Sequence, residues 1–265
     1  MGVLLLTLFG LVAYGVWYGT RHPSVTFETV EVSGGTTVSH DEVGQAVWRA
    51  LSGNHFLLIA KRFIYIYPHD AVVAEVSNIP RVYDVDVSQE GKTLLVHFEE
   101  YIPEALWCSG VPEDSSCVFI TEDGYGFSEA PQLHGGVFVR FIQQGVTSTP
   151  QTIAFTADEM IRMQALIKGF AEDFNYDVES VVITKDNDEE YRLARGSTLL
   201  VAQSDSEDKV LGKLHSIFTS PDFTHLTTET FNYIDLRFGN RVFVKESFDE
   251  VEVVEDTEAD LPTEE

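Results

Sequence analysis

Few residues of this chain are spaced as enzyme chemistry would require. The eight histidines are scattered, and there is no H-E-x-x-H zinc motif, G-x-S-x-G nucleophile turn, phosphate-binding loop or G-x-G-x-x-G turn. Asp84 and Asp86 share one face of a predicted strand, where paired acids are usually solvated. The acidic run 186–190 lacks the central glycine and spaced bidentate acid of a calcium loop, so it is interpreted as a hairpin turn. We therefore predict no catalytic, cofactor-binding or metal-binding residue, and no enzyme activity.

The charge balance narrows the classes of partner. The chain has 43 acidic and 17 basic residues, a net charge of −26, and 44% hydrophobic residues. Nucleic acid would be repelled, because its phosphates are negative as well. A broad contact with anionic lipid is disfavoured for the same reason. The hydrophobic content is sufficient for a globular core.

The N-terminus is predicted to be a single transmembrane anchor, at residues 1–20. Residues 3–18 have no charge, and 19 residues of helix span about 28 Å, enough for the hydrocarbon core. Tyr14, Trp17 and Tyr18 lie at its far end, where amphipathic rings favour the membrane interface. A cleaved signal peptide is the alternative, but the basic N-terminal region and the cleavage site are missing.

The orientation of this anchor rests on two opposing observations. Arg21 is the only flanking charge, and the positive-inside rule would place its side in the cytoplasm, although large domains translocate largely regardless of charge. Cys108 and Cys117 are the two cysteines, and they enclose an eight-residue polar loop. That spacing suits a disulfide at the base of a hairpin, which persists in an oxidising compartment. Two free thiols are the alternative.

The remaining elements predict an α+β protein with two domains. The first domain, 25–99, has the order β-α-α-β-β. Its elements are a strand at 26–32, helices between Ser39 and Gly53 and from Pro68 to Ile79, and strands at 82–87 and 93–99. Between the two helices, Lys61 and Arg62 adjoin Phe63, Tyr65 and Tyr67. This stretch is either an interfacial or protein-contact patch or a loop whose aromatic residues pack on the domain.

The second domain, 100–245, is predicted to be a mixed β-domain with two packed helices. The helices lie at 156–171 and 205–218, and two methionines of the first, Met160 and Met163, are expected to fill the core. Strands are predicted at 103–107, 117–120, 137–141, 178–184, 190–193, 198–201, 231–236 and 241–244. Residues 246–265 are acidic with few aromatics, so we expect a disordered tail.

Six segments of the chain are similar to motifs of one known family. They are FETVEVSGGTTVSHDEV at 27–43, GNHF at 53–56, NIPRV at 78–82, EEYIPEALW at 99–107, DGYGF at 123–127 and YIDLR at 233–237. In this order, behind one anchor, they resemble the bacterial cell-division family FtsQ/DivIB over nearly the whole chain. Tyr101 departs from the family pattern, because an arginine is usual there.

The resemblance implies a non-enzymatic scaffold of the divisome, anchored in the cell membrane with its N-terminus cytoplasmic and its domains extracytoplasmic at the division septum. It implies a POTRA domain at 25–99 and a β-domain whose sheet edge binds an FtsB-like protein, itself paired with an FtsL-like protein, by strand addition. Phe238 and Phe243 would be the apolar anchors. The matching strand comprises Phe238, Gly239, Asn240, Arg241, Val242, Phe243 and Val244.

The resemblance also implies a second recruitment surface on the POTRA domain, for an FtsK-like protein or a septal synthase. It comprises Val32, Ser33, Gly34, Gly35, Thr36 and Thr37. One alternative is a POTRA-containing protein of envelope secretion or assembly, which would require tandem POTRA units and many barrel strands. Another is an anchored cell-wall hydrolase, which would require a nucleophile or a metal site.

Overall fold

The protein is described here from a computed structural model, which covers residues 2–111, 116–133, 135–223, 226, 230–239 and 241–247. The chain divides into two compact units. The first comprises Met1–Leu106, Cys117–Pro131 and Thr149–Phe155, and the second comprises Trp107–Ser116, Gln132–Ser148 and Thr156–Glu265. The first unit thus extends beyond residue 99 and takes in two later segments. The predicted domain boundary at residue 100 remains a prediction.

The first helix, α1, spans Gly2–Gly19 and contains no buried residue. With a mean hydropathy of 1.7, it is long and apolar enough to cross a membrane. This agrees with the apolar helix predicted from residues 1–20. Its last turn continues directly into Thr20 and Arg21 and then into a short 3-10 helix at Pro23–Val25.

The next elements of the first unit are a small sheet and two covering helices. They are β1 Thr29–Gly34, α2 His40–Ala50, β2 Asn54–His55, β3 Ile59–Ala60, α3 His69–Ser77, β4 Val82–Glu90 and β5 Thr93–Glu100. The strand order is β1-β5-β4, with β1 parallel and β4 antiparallel to β5. The predicted helices and strands are present in the predicted order, with a β2–β3 hairpin between the helices.

The core of this small sheet follows from amphipathic patterning. In α2, apolar residues three and four positions apart share one face, and Val43 and Val47 among them are fully buried. They pack with Val72 and Val76 of α3 and with the inward residues of β5, such as Phe98. Alternation along β5 produces the alternating burial expected of a strand with one covered face.

The later elements are short strands interrupted by two long helices. They are β6 Ala105–Gly110, β7 Cys117–Ile120, β8 Tyr125–Ala130, β9 Arg140–Gln144, β10 Thr152–Ile153, α4 Ala157–Phe174, β11 Val178–Ile183, β12 Asp188–Leu193, β13 Thr198–Ala202, α5 Glu207–Phe218, β14 Phe231–Asp235 and β15 Phe243–Glu246. Within the first unit, β8 pairs with both β7 and β10 in antiparallel fashion. The chain as a whole is α+β, as predicted.

The second unit is built on a large mixed sheet. Its strands follow the order β9-β11-β12-β13-β14-β15. The β9–β11 and β13–β14 pairs are parallel and the other neighbouring pairs are antiparallel. Met160 and Met163 of α4 are buried, which confirms their predicted place in the core. α4 packs closely on α5, since a Cβ atom on Gly169 would lie only 2.6 Å from a methyl of Leu211.

Several predicted strands and the tail have shifted boundaries. The strand predicted at 26–32 lies at 29–34, and the one predicted at 103–107 lies at 105–110. The strand predicted at 137–141 begins only at Arg140, and Val137 is exposed. The last strand begins at Phe243 and continues through Glu246, and the Ser247 N–H donates to the Thr230 carbonyl at 3.0 Å. The first two residues of the predicted tail 246–265 therefore belong to the sheet or adjoin it, while 248–265 lie outside the described residues. Pairing with β14 decides this boundary.

Candidate functional site

The predicted partner-binding strand lies at the end of the sheet of the second unit. We call residues 238–244 the edge segment; Asn240 lies outside the described residues. Its last two residues belong to β15, which pairs with β14 through Asp235↔Phe243 and Ile234↔Val244. Because β15 is the terminal strand in the sheet order, one side of its backbone has no strand neighbour among the described residues. Such an edge can pair with another chain.

Two phenylalanine side chains are displayed at this edge. Phe238 and Phe243 are each about half-exposed, and their rings meet edge to face with centroids 5.4 Å apart. The Arg237 guanidinium lies over the Phe238 ring at 5.6 Å. The two rings therefore form one small apolar surface, which the sequence predicted as anchors without predicting their contact.

Arg237 fixes the chain where the edge segment begins. Its Nε and Nη2 donate to the two carboxylate oxygens of Asp235 at 2.9 and 2.6 Å. Its Nη1 donates to Asp188 at 2.6 Å, and its backbone N–H donates to Asp235 at 3.1 Å. This bidentate arrangement, which lysine cannot reproduce, joins the end of β14 to the start of β12.

The ion pair shifts the protonation equilibria of both partners. Burial by itself would raise the pKa of Asp235, but the hydrogen bonds and charge of Arg237, with the more distant Lys213, hold it below its usual range. Hydrogen bonds to Asp235 and Asp188 raise the pKa of Arg237 above its already high ordinary value. Both groups therefore stay charged at neutral pH, and the start of the edge segment stays fixed.

A groove lies beside the edge segment within the second unit. A cavity of about 560 Å³ is lined by α5 and by Gly239 and Val242. The α5 lining includes Lys213, which donates to the Leu236 carbonyl and to the Asp205 carboxylate, the latter at 2.9 Å. Lys209 donates to the same carboxylate at 2.5 Å.

This region carries two cations, Arg241 and Lys245, on either side of Phe243. Within the described part of the chain, Arg241 and Lys245 form no ion pair. Lys245 instead lies 6.0 Å from the Tyr233 ring. On a chain of net charge −26, these two cations suit a partner with acidic residues.

The second predicted surface, residues 32–37, lies at the end of β1. We call it the glycine turn. Gly34 and Gly35 have φ values of +96° and +57°, and a Cβ on Gly34 would lie 1.9 Å from the Phe98 carbonyl oxygen. Only glycine fits there, because β1 runs in register against β5 with Gly34 opposite Phe98. Val32 is half-buried, whereas Ser33 is exposed and its hydroxyl lies 3.1 Å from His97 Nδ1.

Glu100 holds the other half of the glycine turn. Its carboxylate accepts from the Thr36 and Thr37 backbone N–H groups at 2.8 and 2.9 Å and from the Thr37 hydroxyl. Arg81 pairs with the Glu100 carboxylate at 3.1 Å, and the Glu100 side chain is only 7% exposed. Burial opposes ionisation, but the N–H donors of Thr37 and Thr36 and the Arg81 charge hold the pKa of Glu100 below its usual range.

Both cysteines are oxidised. Cys108 lies in β6 and Cys117 begins β7, and each is disulfide-bonded, so neither is a free thiol. Residues 112–115 of the intervening loop lie outside the described residues.

The sequence predicted no catalytic or metal-binding residue, and the acidic side chains of the described residues bear on the metal-binding part of that prediction. Asp84 and Asp86 are exposed, and a register shift between Tyr83 and Asp86 interrupts the pairing of their strand. Across the described ranges, no group of three or more His, Cys, Asp or Glu residues could hold a metal ion. The absence of catalysis remains a prediction.

Sequence reasoning missed the residues that position both surfaces. Asp188 was interpreted only as part of a turn, and Glu100 and Arg237 only as parts of motifs. The Asp-x-Arg spacing at 235–237 was visible, since it permits a local bidentate pair. Arg237 and Asp188 are 49 positions apart, and Glu100 and Thr37 are 63 positions apart. No local sequence pattern indicates contacts over such separations.

Neither a protein-family model nor a curated protein matches this chain.

Proposed function

We propose that this protein is a membrane-anchored, extracytoplasmic scaffold of the bacterial division machinery that binds an FtsB-like and FtsL-like pair by strand addition at the edge segment. The division role comes from the motif resemblance to FtsQ/DivIB. The mode of binding comes from the chain's own edge. The protein acts by holding partners together at the septum and not by catalysis.

The observation that carries the proposal is the terminal strand β15 with two half-exposed phenylalanines beside it. Many edge strands avoid unwanted pairing with other chains by being short and by carrying lysine. β15 has both features. Adjoining phenylalanines do not serve protection, because exposed apolar rings promote association. Together, backbone groups supply affinity and Phe238 and Phe243 supply anchors for a partner.

Two further observations support the extracytoplasmic placement. Among the described residues, α1 is the one helix long and apolar enough to cross a membrane, and it would serve as the anchor. The oxidised Cys108 and Cys117 suit a compartment where disulfides persist. The body would then lie on the side opposite to that indicated by counting Arg21 alone.

The first unit contributes the POTRA domain of this proposal. Its element order and its β1-β5-β4 sheet, with β1 parallel to β5, support that role. β1 is the outer strand of that sheet, and the glycine turn at its end displays Ser33, Thr36 and Thr37. We propose this rigid turn as the contact for the second partner, an FtsK-like protein or a septal synthase.

The test is binding of the full chain, in lipid nanodiscs, to a fluorescently labelled FtsB-like/FtsL-like complex. Phe243→Ser and Phe238→Ser are each expected to weaken binding about thirtyfold, the loss typical of an interface anchor. Serine is preferred to aspartate at position 243, because Asp235 lies directly opposite and two carboxylates would repel each other. Arg241→Glu should lower the association rate most strongly at low salt.

The matched control is Ile161→Ser, an equally apolar exposed residue on α4 of the same unit. It should bind like the unmodified chain. Far-ultraviolet circular dichroism should be unchanged in every variant, because none of the substituted side chains is buried. Unaltered binding by both phenylalanine variants, or no binding by the parent chain, would reject the edge-strand proposal.

A further inference from the structure

The hairpin between α2 and α3 has an unusual tip. β2 and β3 pair through Asn54↔Ala60 and His55↔Ile59, and Leu58 N–H donates to the His55 carbonyl at 3.2 Å. The two residues at the turn, Phe56 and Leu57, have φ values of +47° and +67°. Turns of this left-handed kind normally use Asn-Gly, because a side chain at positive φ is strained.

The same two residues are almost fully exposed. Phe56 is 91% and Leu57 is 86% exposed. In water this arrangement is unfavourable for two reasons: the backbone has positive φ values at residues with side chains, and two large apolar side chains are exposed. Strain of this kind is retained where the outward surface is used. The tip therefore indicates contact with an apolar phase or partner.

The hairpin is attached to the end of α1. One nitrogen of the Arg21 guanidinium donates both to the Trp17 carbonyl at 2.7 Å and to the Leu58 carbonyl at 2.9 Å. The other nitrogen donates to the Asn54 side chain at 2.5 Å. Thr20, which is buried, accepts from the Ala60 N–H at 3.4 Å. The tip is therefore held level with the last turn of α1.

That level is where an anchor helix would leave the bilayer. Tyr14 stacks with Trp17 and Tyr18 at 6.1 and 6.3 Å between ring centroids, and such rings favour the membrane interface. Arg21 lies over Trp17 at 4.4 Å. Residues 51–68 include Lys61 and Arg62 and no acid. This local positive charge suits lipid phosphates, in contrast to the acidic chain as a whole.

We propose that the hairpin tip inserts Phe56 and Leu57 into the interfacial region of the bilayer beside α1, so that the first unit is attached to the membrane at two points. The occupant is lipid and not a protein, because the tip is continuous with the aromatic and basic end of the anchor helix. Tyr65, in the loop that follows the hairpin, is exposed as well. The inference rests on the proposed role of α1 as an anchor.

Depth measurement by electron paramagnetic resonance tests this inference. The full chain is placed in phosphatidylcholine nanodiscs with one nitroxide at Leu57→Cys; the native cysteines are disulfide-bonded and do not react. Oxygen concentrates in lipid and a nickel chelate in water. The ratio of the nitroxide's collision rate with oxygen to its collision rate with the nickel chelate should be severalfold higher at Leu57→Cys than at Gln45→Cys. Gln45 is an exposed position of α2 in the same unit.

A third label, at Leu8→Cys in α1, separates the two proposals. A lipid-like ratio at Leu8 with a water-like ratio at Leu57 overturns the hairpin inference and leaves the anchor intact. A water-like ratio at Leu8 overturns both. With the label at Leu57, Phe56→Asp should lower the ratio toward that of water, whereas Ile102→Asp, at another exposed apolar residue of the first unit, should not. Equal effects of the two substitutions would also contradict the inference.

Discussion

Arg237→Met is expected to destabilise the second unit more than any surface ion pair would suggest. The substitution removes three side-chain hydrogen bonds to Asp235 and Asp188. It leaves Asp235, whose side chain is 7% exposed, with a buried charge. Breaking a buried pair costs about 3–5 kcal/mol. Since Arg237 is 32% exposed and the freed Asp188 can hydrate, we expect about 2–3 kcal/mol here.

The pH dependence gives this prediction a second readout. In the unmodified chain the pKa of Asp235 is lowered, so its stabilisation is present above the ordinary aspartate pKa of about 3.9 and is lost as pH falls through the lowered value. In the variant, burial without Arg237 should raise this pKa. Protonation of Asp235 then removes the cost of its buried, unpaired charge. The difference in unfolding free energy between the unmodified chain and Arg237→Met should therefore be largest at pH 7 and become smaller toward pH 4.

Thermal unfolding of the full chain in detergent, followed by circular dichroism, measures this difference. A loss of 2–3 kcal/mol lowers Tm by roughly 4–12 °C for a unit of this size. The control is Arg192→Met, because Arg192 pairs with Glu190 at 3.1 Å but is half-exposed; its cost should be at most about 1 kcal/mol. Equal losses in the two variants, or a difference from the unmodified chain that does not change with pH, would refute the reasoning.

Two further predictions concern the glycine turn. Because the pKa of Glu100 is lowered, Glu100→Gln should reduce stability to urea at pH 7, and its difference from the unmodified chain should shrink as pH falls below about 4.3 and through the lowered value; a difference that stays constant well below that pH would contradict this account. Gly34→Ala should cost more than about 1 kcal/mol, because the new Cβ would lie 1.9 Å from the Phe98 carbonyl oxygen. Gly44→Ala, which faces open space within α2, should instead stabilise by about 0.5–1 kcal/mol in the same urea titration.

Local patterns determined the elements of this protein well. The stripe that includes Met160 and Met163 predicted α4 because residues three and four apart share a helix face, and those side chains are buried. The apolar N-terminal run predicted α1 for an equally local reason, namely continuous hydrophobicity over a membrane-spanning length. Strand ends were less accurate. β9 and β15 begin two or three positions later than predicted, since pairing with a neighbour decides where a strand starts.

Long-range contacts were beyond the sequence patterns. Residues 55–59, HFLLI, form a short apolar run, which suits a buried strand equally well. The β2–β3 hairpin and the exposure of Phe56 and Leu57 at its tip therefore could not be predicted from it. Of the three aromatic residues beyond Lys61 and Arg62, Tyr67 meets Phe27 edge to face at 5.2 Å whereas Tyr65 is exposed. The packing of Tyr67 agrees with the interpretation of this stretch as a loop packed on the domain, whereas the interfacial or protein-contact patch stays a prediction.

The sequence by itself determined an acidic α+β chain with an apolar N-terminal helix, a glycine turn and a C-terminal segment with two phenylalanines, one of which lies in the last strand. These depend on composition and on periods of two and 3.6 residues, which act within a few positions of each residue. Tertiary structure alone decided that this strand ends a sheet, that Arg237 reaches Asp188, and that Glu100 closes the glycine turn. Those contacts join residues 49 and 63 positions apart, and no local period encodes which distant segments become neighbours.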